Sequence, residues 1–423
     1  MRFFRSRGKV ISLLWLSAAV AFTATSAGAQ TGAPGAKTRV ALYAAVGPEL
    51  KTYSVDVESA TLVEQASVKL PQDVQEAWPH PSSRYLYVTW SNNKAGTAGR
   101  HGVTAFRIDP ATGALQPHGR PISIPARSVF ITVDIPGDHL LVAYNVPSGL
   151  TVHRIKADGT LGAAVPQAAD LDFGVYAHQV RMDPSNRMVI LITRGNGPTA
   201  TRPEDPGALK VFGYKDGVLT NRASIAPGGG YNFQPRHLDF HPTRPFVYIT
   251  LERQNKLQVY RKLDGPSLSS APLFTKETLA DPSRTAGQST STIHVHPNGR
   301  FLYLGNRGDG TVDFRGKRVL GVVENSIAVY SINQETGEPT LIQNADTRGA
   351  HPRTFAIDPS GRLLVVANML RALVRDGEEV RPLPAALSVF RIGRDGKLQF
   401  MRKYDQDTSG GRDLFWTGMV KLP

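Results

Sequence analysis

The sequence predicts an all-β fold, a seven-bladed β-propeller with four-stranded antiparallel blades whose last blade is closed by strands from both ends of the chain. One strand-and-turn motif recurs seven times, and a second motif precedes most of its copies. Glycine and proline are frequent, with 40 and 30 residues among 423. Turn-rich repeats of this kind are typical of propellers, where radial closure leaves no long exposed sheet edge.

The first residues are predicted to be a secretory signal peptide, residues 1–29, with cleavage after Ala29. A basic start from Arg2 to Lys9 precedes an apolar run, residues 10–22, that is short for a membrane-spanning helix. An uncleaved membrane anchor is the alternative. Cleavage would leave residues 30–423 as one propeller domain, periplasmic or secreted and without integral membrane contact.

The composition of the mature chain narrows the classes of ligand. Cleavage removes four basic residues and no acidic one, so the formal charge falls from +14 to +10 over the remaining 394 residues. This excess favours anionic ligands, but the basic residues are dispersed, so no nucleic-acid partner is predicted. Cysteine is absent, which excludes thiol nucleophiles and thiolate metal sites.

The first recurring motif is an alternating strand, a turn with Asp-Gly or Thr-Gly in most copies, and a leucine, a pattern that predicts a hairpin between half-buried strands. Its copies occupy residues 49–62, 101–115, 149–161, 208–219, 256–268, 326–341 and 386–398. One ring-bearing side chain takes the same place in each copy: Tyr53, Phe106, His153, Phe212, Tyr260, Tyr330 and Phe390.

The second motif consists of two apolar strands joined by a turn, and it has six copies. They occupy residues 77–90, 131–145, 180–193, 238–252, 293–306 and 355–368. A lone second strand, Val40 to Ala45, and a lone first strand, Asp413 to Lys421, would complete the seventh unit. Each unit then has roughly 56 residues, near the propeller range. Two packed all-β domains are the alternative.

The long insertions all fall between the second and third strands of a unit, at residues 91–101, 194–207, 307–325 and 369–385. Long loops on one face of a repeat fold mark its working face.

The residues just before each first strand are predicted to surround the mouth of the central channel on that face. They are Glu76, Arg127 with Ser128, His178 with Gln179, Arg236 with His237, residues 289–292, His351 with Arg353, and Arg412. Guanidinium groups bind carboxylates and phosphates through paired hydrogen bonds, so a small anionic ligand is predicted. Glu252, at the end of a second strand on the same face, adds a candidate base.

Four segments resemble the lactonase family of seven-bladed propellers: residues 176–180 (YAHQV), 234–242 (QPRHLDFHP), 296–308 (HPNGRFLYLGNRG) and 352–368 (PRTFAIDPSGRLLVVAN). That family includes the propeller-type 6-phosphogluconolactonase and the carboxy-cis,cis-muconate lactonizing enzyme. The resemblance implies a carboxylic-ester hydrolase or a lactonizing cyclase, acting on an anionic sugar or organic-acid lactone. It places the catalytic residues at His178, Arg236, Glu252 and Arg353.

Lactone opening needs an activated water, a stabilised oxyanion and a proton donor for the leaving alkoxide. We expect Glu252 or His178 to act as general base or acid. Arg236 and Arg353 would bind the substrate's anionic group and the developing charge. Further substrate-binding candidates are Arg127, Arg194, Asn306, Arg307, His351, Asn368 and Arg412. No metal or cofactor is predicted, because the arginines would repel a cation.

Structural roles are the alternative for each of these residues taken singly. Arg236 or Arg353 alone could tie blades together through backbone carbonyls. His237 and His294 are expected to pack between blades. His80, His241 and His296 lie in turns on the opposite face. The rival function is a non-catalytic propeller that binds a ligand or protein on its loop-rich face.

Overall fold

The computed structural model describes residues 39–92 and 98–423, and these residues form seven antiparallel blades around a central axis. We number the blades from residue 73. The innermost strands of successive blades contact one another around the whole ring, and the last contacts the first. The predicted seven-bladed propeller is therefore confirmed. The predicted signal peptide, residues 1–29, lies outside the described residues.

The chain begins in the closing blade, blade 7, and the strands are numbered along the sequence. Blade 7 holds β1 (Val40–Val46), β2 (Glu49–Asp56), β3 (Thr61–Lys69) and the C-terminal β33 (Leu414–Lys421). Blade 1 holds β4 (Asp73–Pro79), β5 (Tyr85–Ser91), β6 (His101–Ile108), β7 (Leu115–Pro117) and β8 (Ile122–Ser123); blade 2 holds β9 (Ser128–Val133), β10 (His139–Asn145), β11 (Ser148–Ile155) and β12 (Leu161–Ala164).

The remaining blades follow in chain order. Blade 3 holds β13 (Ala177–Met182), β14 (Met188–Thr193), β15 (Ala208–Lys215) and β16 (Val218–Ile225), and blade 4 holds β17 (Pro235–Phe240), β18 (Phe246–Leu251), β19 (Lys256–Arg261) and β20 (Phe274–Glu277). Blade 5 holds β21 (Gln288–Val295), β22 (Phe301–Gly308), β25 (Ser326–Ile332) and β26 (Pro339–Asp346), with an added hairpin of β23 (Thr311–Phe314) and β24 (Lys317–Leu320). Blade 6 holds β27 (Ala350–Ile357), β28 (Leu363–Leu370), β31 (Ala386–Ile392) and β32 (Leu398–Asp405), with an added hairpin of β29 (Ala372–Asp376) and β30 (Glu379–Leu383). Short 3-10 turns lie at Pro227–Gly230 and Ser409–Gly411.

The ring closes through blade 7, as predicted. β33 supplies the innermost strand and pairs antiparallel with β1, with Val40 opposite Lys421 and Ala45 opposite Trp416. The second strands of the blades are covered on both sides by neighbouring blades, so β5, β14 and β18 are buried along their whole length. Closure therefore joins the two ends of the chain in one hydrogen-bonded sheet.

One predicted hairpin differs from the structure. Residues 256–268 were expected to turn directly from the third strand of blade 4 into the fourth. Instead a bridge joins Lys262 to Leu268, and the fourth strand, β20, begins at Phe274. Pro266 lies in the turn and lacks the backbone N–H that a strand needs for pairing.

Side chains of one blade bind turns of the next blade in a repeated pattern. His80, His241 and His296 each place Nε2 within 2.8 to 3.0 Å of a glycine carbonyl in the following blade. Tyr248 and Tyr303 donate to the carbonyls of Gly337 and Gly396 at 3.0 and 2.8 Å. These buried or partly buried contacts connect neighbouring blades on the face opposite the insertions.

Replacing Tyr303 with Phe tests the energy of one such contact. The change removes a buried hydroxyl and leaves the Gly396 carbonyl without this donor, so we expect the free energy of unfolding to fall by about 1–2 kcal/mol. Chemical denaturation measures it. Tyr231→Phe, at a side chain that is 59% exposed, is the matched control. Equal stability of the two variants would contradict the assigned role.

Two insertions form hairpins that contact each other beyond blades 5 and 6. Arg315 forms an ion pair with Glu378, and the Arg375 guanidinium lies 4.3 Å from the centre of the Phe314 ring. Residues 93–97 of the first insertion lie outside the described residues. The part of the chain that the structure describes has no helix with the length and apolar character needed to span a bilayer.

Candidate functional site

Every innermost strand carries a β-bulge where it reaches the loop-rich face. In each case the innermost strand has one residue more than its partner between two paired positions. The bulges lie at Gln75, Val129, His178, Arg236–His237, Ser291–Thr292, Arg353 and Phe415. A bulge turns an extra side chain away from the regular alternation of a strand.

Residues from six of the seven bulges, all but that of blade 5, line a cavity of about 190 Å³, here called the site cavity. Its described lining consists of Gln75, Arg127, Ser128, Val129, Asn145, Tyr176, His178, Arg194, Arg236, Glu252, Arg307, Arg353 and Phe415. Five of these residues are arginines and one is a carboxylate, so the lining as described carries a large excess of positive charge.

Backbone strain accompanies three of the bulges. Tyr176, Gln234 and His351 have φ values of 58°, 41° and 59°, and each lies two residues before a bulge residue with a polar side chain. Residues other than glycine rarely adopt this left-handed conformation, and such strain concentrates at functional sites. The strain helps to place His178, Arg236 and Arg353 at the mouth of the channel.

Glu252 connects three of the arginines. Its Oε2 accepts from Arg194 Nη1 at 2.7 Å, and its Oε1 accepts from Arg236 Nε at 3.1 Å and from Arg307 Nη2. Burial alone would raise the pKa of this carboxyl, but the guanidinium groups, with Arg307 the strongest, hold the pKa well below its usual range. Glu252 is therefore ionised at neutral pH and is a weak proton acceptor.

Arg236 is the most deeply buried of these cations, with 1% of its surface exposed. Burial first, and then repulsion from Arg307, lowers the pKa of its guanidinium well below the usual value. Its ion pair with Glu252 offsets part of that cost, because a buried charge needs a partner. Its Nη1 also lies 3.4 Å from His237 Nε2.

The two histidines near the cavity are neutral. Burial and the nearby Arg236 hold the pKa of His178 well below the usual value. Burial and Arg307 lower the pKa of His351 to about 2. His351 Nε2 lies 3.3 Å from Arg307 Nη1, which can only donate, so Nε2 accepts and the His351 proton sits on Nδ1.

Arg127 and Arg353 differ from the other three arginines. Arg353 stacks its guanidinium 3.8 Å from the centre of the Phe415 ring, and Arg127 donates from Nε to Gln75 Oε1 at 2.8 Å. Within the described residues neither forms an ion pair with a carboxylate. Burial and Arg307 lower the pKa of Arg353 to about 9, so it keeps its charge at neutral pH.

Comparison with known proteins identifies the family. A sequence model described as Lactonase, 7-bladed beta-propeller matches residues 38–374. The chain belongs to this lactonase family.

Individual relatives agree with this assignment. A 6-phosphogluconolactonase of Bacillus subtilis (strain 168) is 28% identical over 362 residues, covering 83% of this chain and 95% of that protein. A 6-phosphogluconolactonase of Formosa agariphila is 37% identical over 305 residues, covering 68% and 76%. The solved structure of a periplasmic gluconolactonase of Pseudomonas aeruginosa has a TM-score of 0.64 at 20% identity, covers 91% of this chain and 100% of that chain, and shares the fold. The matches support a lactonase-type carboxylic-ester hydrolase with a small lactone substrate.

The lactonase propeller brings the four predicted catalytic residues, His178, Arg236, Glu252 and Arg353, together around the site cavity. Among the further candidates, Arg127, Arg194 and Arg307 also line it. His351 lies behind Arg307, where it contacts that guanidinium.

Three further candidates lie elsewhere in the lactonase propeller, so the prediction that they contact the substrate is not supported by their positions. Asn306 Nδ2 donates to the Thr278 carbonyl at 2.7 Å, and Asn368 Nδ2 donates to Ser388 Oγ at 3.0 Å. Both side chains are buried between strands. Arg412 binds Asp407 beside the short turn that precedes β33.

Two of the residues singled out in the sequence, Glu76 and His237, line a different cavity from the site cavity, further along the axis. Each follows the first residue of its bulge, and successive strand residues point to opposite sides. Glu76 is therefore not at the site. His237 lines this cavity and also packs against two other blades, with its ring centre 5.5 Å from that of Phe130 and 5.2 Å from that of His178.

The prediction missed Gln75, Tyr176 and Phe415. The Arg353 guanidinium stacks on the Phe415 ring, and the Arg194 guanidinium lies 4.3 Å from the centre of the Tyr176 ring. Gln75 Oε1 accepts a hydrogen bond from Arg127 Nε. Neither aromatic residue is adjacent to its arginine in the sequence, and a bulge leaves no residue pattern, so the sequence carries no signal for these three residues. The described residues hold no group of His, Asp and Glu side chains arranged to bind a metal ion.

Proposed function

We propose that this chain is an exported hydrolase that opens a small anionic sugar or organic-acid lactone in the site cavity. One observation carries the proposal. Three buried polar atoms of lining residues, Ser128 Oγ, His178 Nδ1 and Arg353 Nε, have no hydrogen-bond partner among the described residues. Buried polar groups in proteins are almost always paired, so these atoms favour a polar ligand.

The pairing of the arginines suggests how such a ligand would lie. Glu252 already compensates Arg194, Arg236 and Arg307, whereas Arg127 and Arg353 have no carboxylate partner in the described part of the chain. The substrate's carboxylate or phosphate would therefore bind Arg127 and Arg353. The lactone carbonyl would then lie towards Arg236 and His178.

In this arrangement His178 acts as the general base. Neutral imidazole takes a proton from water as the water oxygen attacks the lactone carbonyl, and Arg236 stabilises the resulting oxyanion. The ring C–O bond then breaks, and His178 returns the proton to the leaving alkoxide. The product is a hydroxy acid. Glu252 holds Arg194, Arg236 and Arg307 in place and does not itself exchange a proton, because both of its oxygens already accept from these guanidinium groups.

Export rests on the basic, apolar and small-residue order of residues 1–29, which lie outside the described residues. The Pseudomonas aeruginosa relative is named a periplasmic gluconolactonase, which supports the same location for this chain. Fractionation of cells that express the full chain tests it: export predicts a periplasmic protein that starts at Gln30.

A lactone panel tests the activity. We expect D-glucono-1,5-lactone 6-phosphate to be opened with a kcat/KM about 10 to 100 times that of the unphosphorylated lactone, because a charged group adds a strong hydrogen-bonded contact. γ-Butyrolactone should be a poor substrate, and cis,cis-muconate tests the reverse direction. Rates are corrected for spontaneous hydrolysis. Absence of turnover above that background with every lactone would overturn the proposal and favour a binding protein.

Replacing Arg353 with Met tests the anion contact separately. We expect KM for an anionic lactone to rise about 10- to 100-fold with a smaller change in kcat, because the contact is made in both ground and transition states. The neutral lactone should be little affected. Arg412→Met, which removes an arginine outside the cavity, is the control. An equal effect of Arg353→Met on both lactones would contradict the assignment.

A further inference from the structure

A second cavity lies on the propeller axis on the far side of the bulges. Its volume is about 330 Å³, and we call it the axial cavity. The described linings of the two cavities share no residue. Each blade contributes one side chain from the last residue of its bulge or from the residue after it: Glu76, Phe130, Gln179, His237, Thr292, Thr354 and Trp416.

The wall of the axial cavity is largely apolar and aromatic. Trp78, Phe130, Phe355, Trp416 and Met419 are among its lining residues. Small-molecule sites are typically concave, mostly apolar and equipped with a few polar groups, and this volume falls in their range. Water molecules beside such a wall would find few hydrogen-bond partners, so an apolar molecule could replace them favourably.

His237 supplies an unused hydrogen-bond donor in this wall. Its Nε2 lies 3.4 Å from Arg236 Nη1, which can only donate, so Nε2 accepts and the proton sits on Nδ1. The side chain is buried, with 5% of the residue exposed, and Nδ1 has no hydrogen-bond partner in the described residues. A buried donor without an acceptor is unfavourable. A ligand with an acceptor oxygen would remove that cost.

The charges around the cavity favour an uncharged ligand. Burial raises the pKa of Glu76 to about 8 against the opposing effect of Arg353, so this carboxyl is mostly protonated at neutral pH. Asp239, beside the lining residue His294, is compensated by Arg181 at 2.8 Å. A cation would meet the nearby arginines, and an anion would lose its hydration against an aromatic wall.

We propose that the axial cavity binds a compact, uncharged molecule with an apolar body and one carbonyl oxygen, which accepts the Nδ1–H of His237. The linings of the axial cavity and the site cavity have no described residue in common, and the proposal does not rest on the proposed lactone chemistry. Binding in the axial cavity can therefore be measured without any lactone turnover. Its outcome can be interpreted whether or not the chain opens lactones.

Saturation-transfer NMR on the full chain with cyclohexanone tests the proposal. We expect saturation transfer to cyclohexanone, and weaker transfer to methylcyclohexane and cyclohexanecarboxylate under the same conditions. His237→Phe keeps the ring but removes the donor, and should weaken cyclohexanone binding about fivefold. Ala356→Phe places a phenyl group in the cavity and should abolish binding, since Ala356 belongs to the lining.

Controls separate this site from the lactone site. Inorganic phosphate, which should bind the arginines of the site cavity, is expected to leave the cyclohexanone signal unchanged. Thermal unfolding checks that each variant is folded. If Ala356→Phe does not fold, the binding measured for His237→Phe decides the test. Absence of transfer in the parent protein, parent-level binding by the folded variants, or displacement by phosphate would each overturn the proposal.

Discussion

Replacing Glu252 with Gln is expected to lower both stability and lactone turnover. The change leaves Arg194, Arg236 and Arg307 together without their counter-charge. Breaking a buried ion pair on one side costs about 3–5 kcal/mol, and we expect a loss of that order in the free energy of unfolding. Because Arg236 would then shift from its position, we expect kcat/KM to fall about a hundredfold or more.

Glu58→Gln is the matched control for this variant. Glu58 also pairs with an arginine, Arg362, but both side chains are about half exposed or more, at 60% and 49%. Exposed ion pairs contribute little to stability, so this variant should match the parent in denaturation and in turnover. A Glu252→Gln protein with parent activity would exclude the assigned role of Glu252.

The low pKa of Glu252 also predicts how its contribution depends on pH. Because the folded-state pKa lies below the ordinary value of 4.5, the carboxylate stabilises the fold fully above that pH. The contribution is lost progressively as the pH falls further and the unfolded chain binds a proton. Denaturation of parent and Glu252→Gln proteins should therefore show a stability difference that is constant above about pH 5 and shrinks in acid. A constant difference down to pH 3 would contradict this.

Replacing His178 with Gln should remove the proton acceptor while keeping a polar side chain at the bulge. We expect kcat to fall about 10²- to 10⁴-fold with little change in KM, the range of general acid–base catalysis. The arginines that bind the anion are untouched, which is why binding should persist. Steady-state kinetics on the best lactone of the panel measure both constants.

The pH profile of the parent enzyme provides an independent check on His178. Since burial and Arg236 lower its pKa well below 6.5, kcat/KM should stay level as the pH falls through 6.5. His80→Gln, at a turn histidine on the opposite face, should retain parent turnover. An acid limb centred near 6.5, or full activity of His178→Gln, would show that another group is the base.

Much of the fold and part of the site could be read from the residue pattern. The alternating strands and repeated turns predict seven blades, and the incomplete repeats at the two ends predict closure by β1 and β33. His178, Arg236 and Arg353 share a position just before the first apolar strand. The prediction placed Arg412 at the equivalent position of blade 7, but the bulge there falls three residues later, at Phe415.

The direction of each side chain required the tertiary structure. Asn306 and Asn368 end second strands on the predicted face, yet they point between strands and bind backbone carbonyls. His237 follows Arg236 in the sequence but faces another cavity. A bulge depends on the register between two strands, and register is set by packing across blades and not by local propensity.

The sequence by itself determined the propeller, its closure and the face on which arginines collect, because these follow from repeat period and hydrophobic alternation. Only the tertiary structure decided which residues line each cavity and how the charges pair. Glu252 meets Arg194 and Arg307 across three blades, 58 and 55 positions away in the chain. Such pairing depends on the ring closing around one axis, which brings separate repeats within hydrogen-bond distance.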